Sequence, residues 1–365
     1  MIAERLNAQL LAGPPARDPV EVVRRLLAVQ GQDARGARLA IRARSKGLTA
    51  TDVDRALSDD RSLLSTWLNR GTLHLVTSED YPWLHALSAP PLFTTNARRL
   101  AQEGVTSAGA ERGVAVIERA LADEGPLTRV QLRERIAAVG VRTQGQALVH
   151  LLMLASLRGI AVRGPMVDGE HAYALVRDWL GTPRPVDRER ALAELARRYL
   201  EGHGPAEDRD LARWSGLPLR DARAGLAAIA PELRDRNDHL LDLDGRREPS
   251  ELPPPRLLGA FDPLLLGWRS RSELLAGNES VVTVNGLFRP FALVRGCAAA
   301  TWSIAAGEVV LRPFGRLTRA DQRALIDDAL DVRRYLRLDP LAGGPEHARL
   351  SGDPEAGGVR RRRTR

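Results

Sequence analysis

Two glutamines separated by a single residue are the side chains of this sequence that could act together chemically. Gln30 and Gln32 follow an amphipathic run with helical spacing, and Gly31 between them is a poor residue for a helix interior. In an extended segment, residues two positions apart share one face. If the helix ends near Val29, the two carboxamides can share one space and hold a water without carrying charge. The alternative is a helix end followed by two solvated glutamines.

A carboxylate and a basic run follow the glutamines. Asp33 is the only nearby carboxylate that could act as a general base, and its alternative role is the N-cap of the next helix. Arg38 and Arg42 are four residues apart, so on a helix they share a face, as phosphate contacts would. The basic run comprises Arg35, Arg38, Arg42, Arg44 and Lys46. We predict that Arg38, Arg42, Arg44 and Lys46 bind DNA, with a solvated helix face as the alternative for the run.

The composition favours an anionic partner and gives no sign of a metal or cofactor. The 365 residues carry a formal net charge of +8. Cys297 is the single cysteine, which excludes an intrachain disulfide, and its apolar surroundings predict a buried thiol. Neither a close-spaced pair of histidines nor a phosphate-binding glycine loop is present. Since no apolar run reaches membrane-spanning length, we expect a cytoplasmic protein without a membrane partner.

The elements that must position these residues repeat in the order helix, helix, helix and hairpin. Residues 125–132 align with residues 204–211, and each segment lies between two helical runs. Thr128 and Asp208 are the predicted N-caps. The N-terminal region repeats the order more loosely, with helices predicted at 19–29, 36–46 and 52–59. The hairpins are predicted to pair 63–67 with 73–76, 160–163 with 172–175, and 233–236 with 239–243.

This order is that of three tandem winged helices, and three unrelated helical hairpins are the alternative. From Pro253 the character of the chain changes, because consecutive prolines cannot continue a helix or a central strand. Asn285 and Gly286 form a strong hairpin signal, and further strands are predicted at 291–294, 300–304 and 309–312. We expect a small antiparallel β-barrel closed by a helix at 320–336.

The predicted fold class is therefore α+β, with three tandem winged-helix domains followed by a small C-terminal antiparallel β-barrel. The predicted boundaries are 1–110, 111–183 and 184–250 for the winged helices, 251–345 for the barrel with its helix, and 346–365 for a basic disordered tail.

Two further segments, taken with the glutamine motif, carry a family resemblance. They are residues 61–76, which include Arg70 to His74, and residues 258–267, which begin Leu-Gly-Ala-Phe-Asp-Pro. In this order the three segments resemble the AlkZ-like DNA glycosylases, from about residue 5 to about residue 335. That family removes bulky alkylated purines from DNA, and some members protect antibiotic producers against their own DNA-alkylating products. The three predicted winged helices agree with the fold that this resemblance implies.

The resemblance implies roles for particular residues. Gln30 and Gln32 match the family's catalytic motif of Gln, an apolar residue and Gln, from which Gly31 departs. A solvated strand histidine is the alternative for His74. The residues expected to contact DNA are Arg70, Thr72 and His74 on the first wing, together with Arg38, Arg42, Arg44 and Lys46.

The predicted function is a monofunctional glycosylase that excises bulky N7-alkylguanine-type purines from double-stranded DNA. We extend this prediction to interstrand cross-links as further substrates. We also extend it to self-resistance against a DNA-alkylating natural product as the biological role. Such a purine already carries positive charge, so placing a water and stabilising the sugar cation is the remaining task. Lys46 is the sole lysine, so a Schiff base is not expected. We expect a monomer without a cofactor; a winged-helix regulator and a structural DNA-binding protein are the alternatives.

Overall fold

Helices and two five-stranded sheets build the chain, and the glutamine motif lies at the edge of the first sheet. The computed structural model describes residues 1–167, 169–182, 185–246, 251–283 and 286–338 and the backbone of 348–350. Within these ranges no helix is both long and apolar enough to cross a membrane.

The N-terminal region contains the predicted helices, with shifted ends. Its elements are α1 (Ile2–Ala8), α2 (Pro19–Leu26), β1 (Val29–Gln30), α3 (Ala34–Arg44), α4 (Ala50–Ser58), β2 (Leu63–Leu68), β3 (Thr72–Thr77), α5 (Tyr81–Ser88) and α6 (Leu92–Gln102). Helix α2 ends early because Leu27 takes a φ of +63°, which a helix cannot continue. Helix α3 starts early because the Asp33 carboxylate accepts the Gly36 N–H at 2.7 Å.

The next two units repeat the helical order. Their elements are α7 (Ser107–Glu124), α8 (Arg129–Ala138), α9 (Ala147–Leu157), β4 (Ala161–Val167), β5 (Glu170–Leu175), α10 (Val176–Leu180), α11 (Arg188–His203), α12 (Asp208–Ser215) and α13 (Leu219–Ala228). Thr128 is the N-cap of α8, as predicted. The predicted N-cap Asp208 is wrong by one residue: Glu207 caps α12, and its N–H donates to the Asp210 carboxylate at 3.0 Å.

The first sheet joins the hairpins of two units that the sequence separated. Its order is β1-β3-β2-β4-β5, and every pairing is antiparallel. Both predicted hairpin pairings are confirmed, and in the observed register Trp67 lies opposite Leu73 and Ala161 opposite Leu175. The two hairpins meet where Ser65 of β2 pairs with Arg163 of β4. The strand that carries Gln30 therefore belongs to the same sheet as the second hairpin.

A short bridge before the second helix recurs in the later units. Leu127 bridges Tyr173 of β5, and Ala206 bridges Leu241 in the third unit, just as β1 pairs with β3. The third hairpin is reduced to single bridges, among them Leu233 with Leu243. These pairings favour three winged helices, although the number of domains and their boundaries stay predictions.

The C-terminal region forms an open sheet, so the predicted β-barrel is wrong. Its elements are β6 (Arg256–Leu258), α14 (Pro263–Leu266), α15 (Ser272–Leu275), β7 (Phe291–Val294), β8 (Cys297–Ala305), β9 (Glu308–Pro313), α16 (Arg319–Leu336) and β10 (Ala348–Leu350). The sheet order is β10-β9-β8-β7-β6, with β10 parallel to β9. The β6 edge does not close a barrel because α3 covers it: Arg42 donates to the Leu257 carbonyl at 2.6 Å. The predicted closing helix is present as α16 and packs on the sheet.

Several predictions fall at the limits of the described residues. Val282 bridges Phe288, so a hairpin is present where Asn285 and Gly286 predicted one, but Asn285 itself lies outside the described residues. Two further segments, 183–184 and 247–250, also lie outside the described residues. Of the predicted tail, only 348–350 is described, as β10. The Cys297 thiol, predicted to be buried, is half-buried at the start of β8.

Candidate active site

The two glutamines meet because the chain between α2 and α3 is extended. Gln30 lies on β1 opposite His74 of β3, and the Gly31 N–H donates to the Leu73 carbonyl at 2.7 Å. This ladder directs the side chains of Gln30 and Gln32 to one face. The Gln30 Nε2 donates to the Gln32 Oε1 at 2.6 Å. The predicted juxtaposition of the two carboxamides is confirmed.

The pair keeps hydrogen-bonding capacity on both of its members. Gln30 is only 6% exposed, and its Oε1 has no hydrogen-bond partner among the described residues. Gln32 is exposed, and its Nε2 is not used by the contact with Gln30. The pair therefore keeps a buried acceptor, Gln30 Oε1, and a donor, Gln32 Nε2, that their mutual hydrogen bond does not use, and it bears no charge.

Gly31, which departs from the family motif, does not distort this geometry. A Cβ placed on Gly31 would lie 3.5 Å from the Ser65 hydroxyl and 3.6 Å from the Leu75 nitrogen, which are ordinary contacts. The site would thus accept a small apolar side chain at this position, and glycine serves without any special backbone angle.

Asp33 acts as an N-cap, the alternative that the sequence left open. Its Oδ1 accepts the Gly36 N–H at 2.7 Å, and the side chain is half-buried at the start of α3. A capping carboxylate is held in place by this bond and by the partial positive charge of the helix end. Its use as a general base stays a prediction.

A cavity of about 230 Å³ opens in front of the glutamine pair. None of its lining residues is a carboxylate or a histidine, so the glutamines and three arginines supply its strongest polar groups. The lining residues are Gln30, Gln32, Arg70, Thr72, Arg213, Phe261, Leu266, Arg271, Gly286 and Phe288.

Two phenylalanines form the apolar wall of this cavity. The rings of Phe261 and Phe288 lie 5.5 Å apart at 49°, and the Arg271 Cζ lies 5.1 Å from the Phe288 ring centroid. Phe261 has a φ of +56°, which is costly for a bulky residue. The surrounding contacts must therefore hold this loop firmly, with the ring facing the cavity.

A buried ion pair supplies that hold, and it corrects the role predicted for Arg44. Arg44 of α3 is fully buried and donates to both carboxylate oxygens of Asp262 at 2.8 and 2.9 Å. Arg44 is inaccessible to DNA, so its predicted phosphate contact is wrong. The same loop sits directly on α3, because a Cβ on Gly36 would overlap the Ala260 carbonyl oxygen. Helix α3 thus places Phe261 opposite the glutamines.

The prediction for Arg42 is wrong for the same reason. Its guanidinium is buried and donates to Asp328 at 2.9 and 3.0 Å and to Asp331 at 3.2 Å, both on α16. Arg42 and Arg44 therefore fasten α3 to the C-terminal sheet and its loop. Arg38 is mostly covered and ion-paired with Asp54, which neutralises the charge that a phosphate would need. Lys46 is exposed, and its contact with DNA stays a prediction.

On the first wing, two of the three predicted contacts line the cavity. Arg70 donates to the carbonyls of Arg213 and Trp214 at 3.1 and 2.5 Å, near the end of α12. The Thr72 hydroxyl donates to the Asn69 carbonyl at 3.2 Å. His74 is buried behind them. This burial contradicts both roles considered for it, a solvated strand residue and a DNA contact. Burial, with repulsion from Arg70, lowers the pKa of His74 to about 3, so the ring is neutral at pH 7.

Three arginines give the cavity a positive rim that the sequence did not reveal. Burial lowers the pKa of Arg70, and repulsion from Arg213 and Arg271 lowers it further. Burial also lowers the pKa of Arg271, again with repulsion from Arg213. An anion at this rim would relieve the repulsion. Because Arg213 and Arg271 come from α12 and the segment before α15, only the fold brings them to Arg70.

The aromatic wall was also missed, although one local signal pointed to it. Phe261 precedes Asp262 and Pro263, an N-cap followed by a helix-starting proline, so a turn was predictable at this point. Within the part of the chain that the structure describes, His, Cys, Asp and Glu side chains form no group of three or more suited to a metal ion.

Comparison with known proteins gives consistent results. The chain matches the family described as "DNA glycosylase AlkZ-like" over residues 23–335. A curated relative, the interstrand DNA cross-link repair glycosylase of Streptomyces sahachiroi, is 27% identical over 370 positions, covering 92% of this chain and 95% of that protein. The solved structure of Streptomyces sahachiroi DNA glycosylase AlkZ matches with a TM-score of 0.76 at 24% identity, covering 96% of this chain and 98% of that one.

Proposed function

Since the chain belongs to the AlkZ-like family of DNA glycosylases, we propose that it excises bulky alkylated purines from double-stranded DNA. The substrates we propose are purines of the N7-alkylguanine type, interstrand cross-links among them, and the biological role is self-resistance to a DNA-alkylating natural product. The observation that carries the proposal is the neutral glutamine pair at the mouth of a cavity without carboxylates.

The lining of the cavity suits a leaving group that is already cationic. A purine alkylated at N7 departs without an acid, and the lining offers none. The remaining task is to place a water against the anomeric carbon as positive charge develops on the sugar. Gln32 Nε2, which the bond between the two side chains leaves unused, can donate to that water. Gln30 Oε1, buried without a partner among the described residues, can accept from it once the side chain turns towards the cavity. An unmodified purine would gain too little from such a site.

The phenylalanine wall gives the extruded base a surface to stack on. Enzymes that act on a base remove it from the duplex, and they read the base by stacking as well as by hydrogen bonds. Phe261 and Phe288 line the same cavity as the glutamines, so a purine against these rings would lie beside the pair. Stacking does not depend on the exact substituent, which fits bulky adducts of varied shape.

The arginine rim would bind the backbone on either side of the lesion. Arg70, Arg213 and Arg271 repel one another, and phosphates would neutralise them. This neutralisation also matters for the chemistry, because an uncompensated positive rim would oppose the developing sugar cation. The arginine rim thus assists the reaction only when bound phosphates neutralise it. We expect one monomer to bind one lesion site.

The mechanism we propose is monofunctional. Lys46, the sole lysine, lines a different cavity, which Asp327, Asp328 and Asp331 also line, and it is absent from the lining of the glutamine cavity. No amine among the described residues is therefore placed to form a Schiff base with the sugar. The product would be an abasic site in an intact strand.

The test is release of a free base from a defined duplex. Purified protein would be incubated with DNA carrying one N7-alkylguanine, and the base would be quantified by mass spectrometry while strand cleavage is followed on a gel. We expect free N7-alkylguanine and alkali-labile but uncut strands. A covalent adduct trapped by borohydride would contradict the monofunctional mechanism, and DNA binding without base release would favour a regulator.

A further inference from the structure

A second basic cleft lies on the other side of Gln32. A small cavity of about 80 Å³ is lined by Gln32, Arg163 and His171. Arg163 and His171 also line a much larger cleft of about 1030 Å³ between β5 and α8. Gln32 therefore lies between two cavities. One is the cavity proposed to hold the base, and the other is the small cavity that leads to this cleft.

Arg163 is the notable residue of this cleft because its Nε–H has no hydrogen-bond partner among the described residues. It lies on β4, half-buried, with its Cζ 5.6 Å from the Tyr173 ring centroid. Its Nε is buried without a hydrogen-bond partner, and no carboxylate among the described residues forms an ion pair with its guanidinium. A buried N–H without an acceptor is costly, so the Arg163 Nε points to a ligand.

His171 presents a second unused donor at the same place. Its Nε2 lies 3.4 Å from Arg38 Nη2, and its buried Nδ1 has no partner among the described residues. Burial, with repulsion from Arg38 and Arg163, lowers the pKa of His171 to about 3. In the neutral ring, Nε2 toward Arg38 would be the acceptor and Nδ1 the donor.

The wall opposite adds further positive charge. Arg129 and Arg133 line the large cleft one helical turn apart on α8, and both are exposed. Two carboxylates, Glu134 and Glu170, also line the cleft, and Glu134 lies 3.8 Å from Arg135 outside it. Among the described residues that line the cleft, three arginines face two carboxylates, and Arg163 occupies the inner end nearest Gln32.

We propose that this cleft is a DNA backbone site in which a phosphodiester group binds the Arg163 guanidinium and the Nδ1–H of His171. The proposal rests on the proposed function, which it deepens by naming the group that positions the scissile sugar. A phosphate matches the fork of an arginine. A turn of the two side chains towards the cleft would bring the buried Arg163 Nε and His171 Nδ1 to the same group. Held next to Gln32, it would anchor the nucleotide whose base enters the other cavity.

The first experiment compares two arginine variants. Arg163→Gln removes the proposed contact, and Arg112→Gln, an exposed arginine on α7, is the matched control. Binding to undamaged duplex would be measured by fluorescence anisotropy across a salt series, with thermal melting to verify folding. We expect Arg163→Gln to weaken binding about tenfold and to reduce the salt slope by about 0.9, the value for one phosphate contact. Equal slopes in both variants would overturn the proposal.

A second experiment identifies the phosphate. Methylphosphonate linkages, which are neutral, would be placed singly along a duplex that carries one N7-alkylguanine. At one position next to the lesion the substitution should weaken wild-type binding but leave Arg163→Gln unaffected. Additive losses at every position would overturn the proposal. Arg163→Lys should keep the salt slope while losing affinity, since it retains the charge and lacks the fork.

A third measurement separates failure of this site from failure of the proposed function. Inorganic phosphate would be titrated into the full chain while the His171 ring signals are followed by NMR. A saturable shift in wild type that Arg163→Gln abolishes supports the site, even if the protein excises no base. The absence of a shift, in a protein that does bind and excise, would overturn the site and leave the proposed function intact.

Discussion

Replacing Arg44 with methionine should destabilise the protein severely, because this residue is a clamp and not a phosphate contact. The guanidinium uses all five of its donors: Asp262 accepts two, the backbone and side chain of Gln9 accept one each, and the Ala40 carbonyl accepts one. Arg44→Met fills a similar volume but provides none of these bonds. The Asp262 carboxylate, itself 0% exposed, would be left buried without its cation.

The size of the effect follows from that unpaired charge. Removing one partner of a buried ion pair costs about 3–5 kcal/mol, most of it from the charge left behind. Removing both should cost less than the sum of the two single changes, because no isolated charge remains. Arg44→Met with Asp262→Leu should therefore be more stable than Arg44→Met alone, apart from about 1 kcal/mol for the lost N-cap of α14.

Urea unfolding followed by circular dichroism measures these free energies. Arg35→Met is the matched control, since Arg35 lies on α3 and is exposed. We expect the control to remain within about 0.5 kcal/mol of wild type, as surface changes generally do. If Arg44→Met were as stable as the control and instead weakened DNA binding with a reduced salt slope, Arg44 would contact phosphate and the clamp would be refuted.

Four further predictions concern the site. Alanine at Gln30 or Gln32 should slow single-turnover excision by about 10²-fold, and the double variant should be hardly slower than the poorer single one; additive losses would show that the pair does not act as a unit. Asp33→Asn keeps an effective N-cap, so excision should persist; its loss in rapid-quench assays would make Asp33 the general base. Phe261→Ala should lower excision about tenfold through lost stacking while affinity for undamaged DNA is unchanged, and anisotropy would expose a general binding defect. The pKa of about 3 for folded His74 lies below its unfolded value, so this residue should lower the free energy of unfolding by about 1.4 kcal/mol per unit as pH drops from 6.5 towards 3; urea unfolding of His74→Gln should show a slope shallower by that amount, while His171 keeps its own contribution.

The glutamine pair was predictable because it depends on a local rule. Side chains alternate along extended backbone, and Gly31 indicated that the helix had ended, so the face shared by Gln30 and Gln32 followed from spacing alone. The pairing of the strands in the first two hairpins followed in the same way from alternation and turn residues. Each of these features depends on residues that are close together in the sequence.

The errors concern residues whose partners are distant. Arg44 meets Asp262 218 positions away, and Arg42 meets Asp328 286 positions away. On a helix such arginines have the same spacing as phosphate contacts, and only the packing of α3 against the C-terminal region distinguishes the two roles. The prediction of a β-barrel was wrong for a related reason. Closure of the sheet depends on what covers the β6 edge, and there Arg42 donates to the Leu257 carbonyl. The arginine rim also depends on distant segments.

The pairing of Ser65 with Arg163 has a consequence for how the duplex must adapt. It joins the glutamine strand and the two hairpins into one sheet, and the hairpins cannot separate without losing this pairing. We therefore expect part of the adjustment to fall to the nucleic acid, and smooth bending of a site by 40–90° costs about 1–6 kcal/mol. An adduct that loosens stacking lowers this cost. We expect the protein to bind damaged duplexes more tightly partly because they bend more easily, independently of any contact with the adduct.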